Sequence, residues 1–458
     1  MTGPTCLPPP QQAQRGVTLI ELMVAMLLGL IVAGGIVTVF SSTSSSNKAQ
    51  TQLARLQEEG RFAIGRLNND LRMANALYCN NSGGSATTSA SGTMLDSIRS
   101  PRVFATNLIN VAHPSSSALA DITTGWGSGG YPAAPSSSYP MPAFLYMRGY
   151  DCTLTNCTPA NPVAAGLPAM GTAEGSRVKG ADVLTVRYVN SDGGWSIGET
   201  GGSSLAVTSS GGVPILTTIT LSPLTGEPPI SDFGATDLAL LADCSNSQIF
   251  ALGSVSGGVL TVAGGTNVPG TAPVVPTPQS APRVFDVNRD FRTVTYYLRV
   301  VSVNNDGHAP YTGALMRRVN GGAGHAADRG GSEDELVRGV ERLDFRYGVE
   351  DTNGNTSFLT ASEVDSATNC APQEQGFLTT AGCLWRSVKS IEVSILMDGQ
   401  VPLYTLTSND LLYAYTADAN PGLLAPGAHA IKPSDQGFPD QLLRREFTSL
   451  VAVRNFNP

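Results

Sequence analysis

The sequence predicts an α+β protein, helical at its start and β-rich after it. Three observations carry that reading: an apolar run from Val17 to Phe40, a helical stripe from Leu53 to Tyr78, and short runs beyond Cys79 in which apolar and polar residues alternate. With 458 residues the chain is long enough for one large domain or two ordinary ones. Charged residues make up only 14%, against roughly 25% in ordinary soluble domains. Glycine (50) and proline (30) are abundant, which suits a secreted, loop-rich β protein better than a cytosolic enzyme. The balance of 28 basic against 36 acidic side chains leaves −8, which argues against a nucleic-acid partner.

The first element is the stretch RGVTLIELMVAMLLGLIVAGGIVTVF, Arg15 to Phe40, whose apolar part holds one charge, Glu21. At ~1.5 Å per residue, Val17–Phe40 spans about 36 Å as a helix, enough to cross a bilayer. A cleavable secretory signal has a shorter apolar core and no acid inside it. A plain membrane anchor has no use for the acid either, since a lone carboxylate in hydrocarbon costs a few kcal/mol. Glu21 therefore has to be neutral, near the interface, or paired with a cation.

The run GVTLIELMVAMLLGL resembles the prepilin signal of type IV pilins and type II secretion pseudopilins. The resemblance implies a cut by a membrane peptidase between Gly16 and Val17, N-methylation of Val17, and Glu21 as the fifth mature residue. Val17 departs from the Phe usual at the first mature position. The cut creates a cationic α-amine, and the resemblance implies that Glu21 meets such an amine on a neighbouring subunit. Pairing would remove most of what each charge costs in low dielectric. Ala25, Gly29 and Ala33 form a small-residue stripe on the same helix, suited to close helix packing.

Ser41–Ser46 reads as the exit from the bilayer. Beyond it, Leu53, Leu56, Ala63, Leu67, Leu71, Ala74 and Tyr78 recur at three- and four-residue steps, with one step doubled across Gly60. From Cys79 the clearest strands are DVLTVRYV (Asp182–Val189), RTVTYYLRVVSV (Arg292–Val303), ALMRRV (Ala314–Val319), LDFRYGV (Leu343–Val349), SIEVSILM (Ser390–Met397) and EFTSLVAV (Glu446–Val453). Asn304–Gly313 reads as a hairpin loop, and Gly264–Pro282 as the most linker-like stretch.

Seven cysteines leave an odd thiol in an oxidising compartment, but Cys6 precedes the cut. Of the remaining six, Cys152 and Cys157 are the best local pair, Cys370 and Cys383 bracket a loop, and Cys79 is left with Cys244. Each such bond would stabilise by about 2–4 kcal/mol. No metal or cofactor is implied. Residues from Asp351 fail the calcium-loop pattern, with Thr356 where Gly and Ser362 where Glu is needed. GAGHAA (Gly322–Ala327) lacks the following apolar helix of a dinucleotide site. The histidines His113, His308, His325 and His429 all sit in Gly/Ala/Pro-rich loops, where solvated side chains are the norm. No catalytic motif occurs, so no enzyme is expected.

DVLTVRY, TVTYYLR, ALMRR, ELVRGVERLDFRYGV and RREFTSLVAVRN resemble segments of PilW-type minor pilins and, more loosely, of the pseudopilin J group. The resemblance implies the type IV pilin fold: a long N-terminal helix, membrane half plus amphipathic half, packed on an antiparallel β-sheet head with large loop insertions. The divisions expected are leader 1–16, membrane helix 17–40, amphipathic helix 41–78, variable β-rich head 79–281, and C-terminal sheet region 282–458. The implied role is a minor pilin in the tip or initiation complex, held in the inner membrane with its head in the periplasm and then carried into an extracellular pilus. Implied partners are other minor pilins, the major pilin, the prepilin peptidase, the inner-membrane assembly platform and a tip adhesin. Rival readings are a J-like pseudopilin, or a tethered adhesin using Trp126, Trp195 and Tyr139 as a sugar platform.

Overall fold

The computed structural model describes residues 16–453 apart from 80–85, 90–91, 96–100, 107, 109–134, 163–166, 211, 234–236, 244–246, 263, 265–266, 269–272, 274–280, 320–331, 351–354, 368–381 and 404–405. The chain forms two compact units, Met1–Ala54 and Arg55–Pro458, described in turn.

In the first unit the helix α1 (Leu19–Met73) begins as a bare apolar rod. Leu19, Leu30 and Phe40 each expose 74–78% of their surface. Among the described residues this is the helix long and apolar enough to cross a membrane. Its hydroxyls are satisfied internally: Thr38 donates to the Gly34 carbonyl (2.8 Å) and Thr51 to the Asn47 carbonyl (2.9 Å). The helix therefore continues through the serine-rich Ser41–Ser46.

In the second unit the remainder of α1 buries Leu56, Gly60, Ala63, Leu67, Asp70 and Leu71. The doubled step in the stripe now has a cause. A Cβ on Gly60 would stand 2.5 Å from the Phe447 ring, so the ring occupies the place of a helix side chain. Past the helix end, Asn75 turns left-handed (φ 66°) and its N–H donates to the Arg187 carbonyl at 2.9 Å.

A hairpin follows (β1 Ala86–Ser89, β2 Gly92–Leu95), then β3 (Arg102–Val103) and β4 (Tyr139–Pro140). Next come β5 (Met147–Cys152), β6 (Cys157–Thr158), β7 (Met170–Gly171), β8 (Arg177–Val178) and β9 (Val183–Val189). The middle of the chain supplies β10 (Trp195–Ser196), β11 (Ser204–Ser210), β12 (Val213–Thr220), β13 (Leu238–Ala242), β14 (Ser247–Ser256), β15 (Val259–Val262) and β16 (Arg283–Asp286). A short helix α2 (Val287–Asp290) leads into β17 (Phe291–Ser302), β18 (Tyr311–Val319), β19 (Ser332–Arg338), β20 (Val340–Glu350) and β21 (Thr356–Leu359). Helix α3 (Ala361–Ser366), β22 (Val388–Asp398), helix α4 (Pro433–Gln436) and β23 (Arg444–Ala452) complete the chain.

Three larger sheets result. An eight-stranded sheet runs β19-β18-β17-β9-β5-β6 with β7 and β8 alongside, and a four-stranded sheet runs β21-β20-β22-β23. A nine-stranded sheet runs β10-β16-β13-β14-β15-β12-β11, with β3 and β4 attached. Strict alternation sends Leu343, Phe345 and Tyr347 inward opposite Ile395, Val393 and Ile391. These residues, the buried face of α1 and the inner face of β17 form one core. The outer face of β17 (Tyr297, Val301) joins a second, smaller core with Tyr150, Cys152 and Cys157. The nine-stranded sheet is also covered on both sides: Leu240 joins the main core, while Leu241 joins another around Trp195 and Phe250.

Strands from before and after residue 282 share sheets. Val189 pairs with Phe291, and Leu241 with Val284. The division drawn from the sequence at 281/282 therefore separates neither sheet. The expected hairpin loop is shorter than Asn304–Gly313, because Tyr311 already pairs with Ser302.

Candidate processing and assembly site

Gly16, Val17 and Thr18 precede the first helical turn and are exposed. A Cβ on Gly16 would meet nothing within 4 Å. Thr18 then caps α1. The Thr18 N–H and hydroxyl both donate to Glu21 Oε2 (2.9 Å each), and the Glu21 N–H returns a bond to Thr18 Oγ1 at 3.3 Å. This is a reciprocal capping box, in which two otherwise unpaired backbone donors of the helix start are satisfied, the Thr18 N–H by the Glu21 carboxylate and the Glu21 N–H by the Thr18 hydroxyl. Glu21 Oε1 accepts no hydrogen bond among the described residues and is left for an outside donor. Thr18 was not singled out in the sequence; the signal was there in T-L-I-E, a Thr three residues before a Glu at the head of an apolar run.

Ala25, Gly29 and Ala33 lie one turn apart on exposed helix surface, and a Cβ on Gly29 would meet nothing within 4 Å. The helix is unbroken at Gly34 and Gly35.

In the head, α1 is tied to the eight-stranded sheet through Asp70. Its Oδ1 accepts from the Tyr188 hydroxyl (3.0 Å) and Arg317 Nη2 (3.2 Å), and its Oδ2 from the Tyr296 hydroxyl (2.5 Å) and Arg317 Nε (2.6 Å). Burial opposes the charge, but the hydrogen bonds from Arg317 and Tyr296 and the guanidinium charge outweigh it and hold the carboxyl below its usual range. Asp70 was also missed. Its signal was an acid inside the apolar stripe, between Leu67 and Leu71.

Cys152 and Cys157 form the expected disulfide. Cys79 and Cys383 are also disulfide-bonded. Their expected partners Cys244 and Cys370 lie outside the described residues, as do Asp351, the GAGHAA stretch, His113, His325 and Trp126.

The aromatic platform is overturned. Trp195 is wholly buried, stacked on Phe233 at 4.9 Å with its Nε1 donating to the Pro228 carbonyl, and Tyr139 is buried with its hydroxyl on the Ala105 carbonyl. Both rings are core material under Gly/Ser-rich loops, so neither can meet a sugar. His429 is likewise not solvated. It is buried, with Nδ1 2.7 Å from Asp418 and its ring stacked on Tyr413 at 3.9 Å. His308 is exposed as expected.

Residues 295–455 match the family model of the type IV pilus-assembly protein W, PilW. Residues 11–37 match the prokaryotic N-terminal methylation motif, which spans Gly16, Thr18 and Glu21. Among solved structures, a type IV-like pilin from Thermus thermophilus aligns over 48% of this chain and 85% of its own, at 15% identity and a TM-score of 0.17. No curated protein matches the chain.

Proposed function

We propose that this chain, which matches the N-terminal methylation motif over residues 11–37 and the PilW model over residues 295–455, is a type IV pilus minor pilin of the PilW type, whose residues serve assembly as follows. The prepilin peptidase cuts after Gly16 and methylates Val17. The protein waits in the inner membrane on Val17–Phe40, with its head in the periplasm, and enters an extracellular pilus at the tip or initiation complex. Its contacts there are with helices of other minor pilins and the major pilin, through the stripe of Ala25, Gly29 and Ala33. The assembly platform and a tip adhesin complete the set of partners.

The observation that carries this reading is the capping box at the cleavage point. Thr18 positions Glu21 one turn from the new amine, with Oε1 uncommitted. The free oxygen accepts the α-ammonium of a neighbouring subunit, which makes the acid an assembly device as well as part of a helix cap. The test is the mass of the N-terminal peptide of the protein recovered from membranes. A peptide beginning at Val17, one methyl heavier than the plain sequence, is expected. One beginning at Met1, in cells that process other prepilins, would sink the reading.

A further inference from the structure

Arg177 is fully buried, and such a guanidinium ordinarily meets a carboxylate. Among the described residues Arg177 meets none. Its Nη1 donates to both sulfurs of the disulfide, Cys152 Sγ and Cys157 Sγ, at 3.2 Å each. Its remaining bonds go to neutral acceptors, Asn161 Oδ1 (3.1 Å) and the Pro168 carbonyl (3.4 Å). A disulfide sulfur is a weak, uncharged acceptor, so the cation is left uncompensated. Burial accordingly pushes the guanidinium down to about 10. A thiolate in either sulfur position would supply the missing anion at hydrogen-bond distance.

Both cysteines are buried, at 8% and 6% exposure, so a dithiol has to reach them through the loop that joins them. Cys152 and Cys157 are cross-strand neighbours at the end of β5 and the start of β6, at the base of a loop in which Thr153, Thr155 and Asn156 are exposed. The loop is held by its own bonds, Thr153 N–H to the Asn156 carbonyl (2.8 Å) and Thr153 Oγ1 to Asn156 Oδ1 (2.7 Å). The other ionisable groups against the pair make no hydrogen bond to Arg177 among the described residues. Asp182, which accepts the Cys152 N–H at 2.8 Å, has its carboxyl raised well above the usual range by burial and by the charges of Asp344 and Asp151. Tyr297 on β17 is raised by burial and stays a neutral phenol.

We propose that Cys152 and Cys157 form a thiol–disulfide exchange site, which takes a dithiol as co-reactant and holds its reduced form through an Arg177–thiolate pair. One thiolate of the dithiol attacks a cysteine sulfur, the S–S bond breaks, and a mixed disulfide forms. The second dithiol sulfur then displaces the remaining cysteine. Two electrons pass from the dithiol, which leaves as a disulfide. Of its two protons, one stays on a cysteine as thiol and one goes to solvent.

The test equilibrates the full chain, in detergent, with mixtures of reduced and oxidised dithiothreitol, then alkylates and weighs the cysteine peptides. The Cys152–Cys157 bond is expected to open at a reductant ratio about tenfold lower than the cross-links holding Cys79 and Cys383. Opening at the same or a higher ratio overturns the proposal. In the reduced wild-type chain the alkylation rate should rise with a midpoint at least about one pH unit below the ordinary thiol value near 8.5. Arg177→Gln should return it towards that value. A wild-type midpoint at or above about 8.5 overturns the Arg177 role even if the variant fails to fold.

Discussion

Replacing Asp70 with Asn keeps the side-chain shape but removes the charge that Arg317, Tyr188 and Tyr296 converge upon. Breaking a fully buried ion pair by removing one partner destabilises by about 3–5 kcal/mol, mostly through the cation left behind. The Arg317 side chain retains 15% of its surface and that of Asp70 12%, so the guanidinium can partly rehydrate. The lower end, about 3 kcal/mol, is the expected loss. Guanidinium unfolding of the full-length chain in detergent, followed by emission of the buried Trp195 and Trp385, measures it. Combining Asp70→Asn with Arg317→Met should cost much less than the sum of the two, because the orphaned cation is then gone. The pH dependence adds a second check. The Asp70 carboxyl sits lower in the folded chain than unfolded, so its contribution is present above the unfolded value near ~4 and is lost as pH falls through the folded one. The gap between wild type and Asp70→Asn should therefore close on acidification. A loss under about 1 kcal/mol at pH 7, the size of an exposed pair, would refute the tether.

Three other variants probe separate parts of the molecule. Gly60→Ala drives a Cβ to 2.5 Å from the Phe447 ring and should destabilise the head by about 1–3 kcal/mol, with Phe447→Leu recovering part; a neutral result would mean the ring does not fill that gap. Glu21→Gln keeps an acceptor for Thr18 but removes the charge, so cleavage should proceed while the fraction sheared off with pili falls; unchanged incorporation would dismiss the ion pair. Asp286 is pushed up to about 8 by burial and then by the Asp237 charge. The folded chain therefore holds that proton more tightly than the unfolded one between about pH 4 and 8, and stability falls as pH rises across that window. Asp286→Asn should flatten the slope there, and a slope equal to that of the wild type would show the proton sits elsewhere.

The strands legible in the sequence are those with one wet face or a bounded apolar run. LDFRYGV and SIEVSILM alternate because one face of the four-stranded sheet meets the core, and each lies within its observed strand. LALLA at Leu238–Ala242 gave no such signal, since both of its faces are buried and nothing alternates. Trp195 and Tyr139 misled for a related reason. The flanking Gly, Ser and Pro residues reported loops correctly, but a loop says nothing about where an aromatic ring inside it turns. Gly60 was visible only as a gap, because what fills it, Phe447, comes from the far end of the chain. Asp70 stood in plain view on an apolar face, yet its partners Tyr188, Tyr296 and Arg317 come from three different strands.

Glu21 poses the sharpest case, because its meaning changes with the state of the chain. Read as an isolated letter it is a charge in lipid, to be explained by a partner in another subunit. The structure supplies a partner three residues away, which means the acid is not bare even in a single chain: Thr18 gives Oε2 two donors, and the helix start gains a cap. Those donors are local, so under the proposed assembly they would not have to be surrendered when an amine arrived at Oε1. Cleavage after Gly16 would leave Thr18 as the second mature residue, and the box would outlast processing too. On the proposed reading the carboxylate is held in place before its intermolecular partner exists, and docking would need only to desolvate it, not to find its rotamer. If that ordering matters, Thr18→Ala should slow incorporation at a given level of cleaved protein while leaving the final Glu21 pairing possible. A pulse-chase of cleaved chains into sheared pili separates the two. A lag with the same end point supports prepositioning, whereas an unchanged time course would reduce Thr18 to an ordinary helix cap.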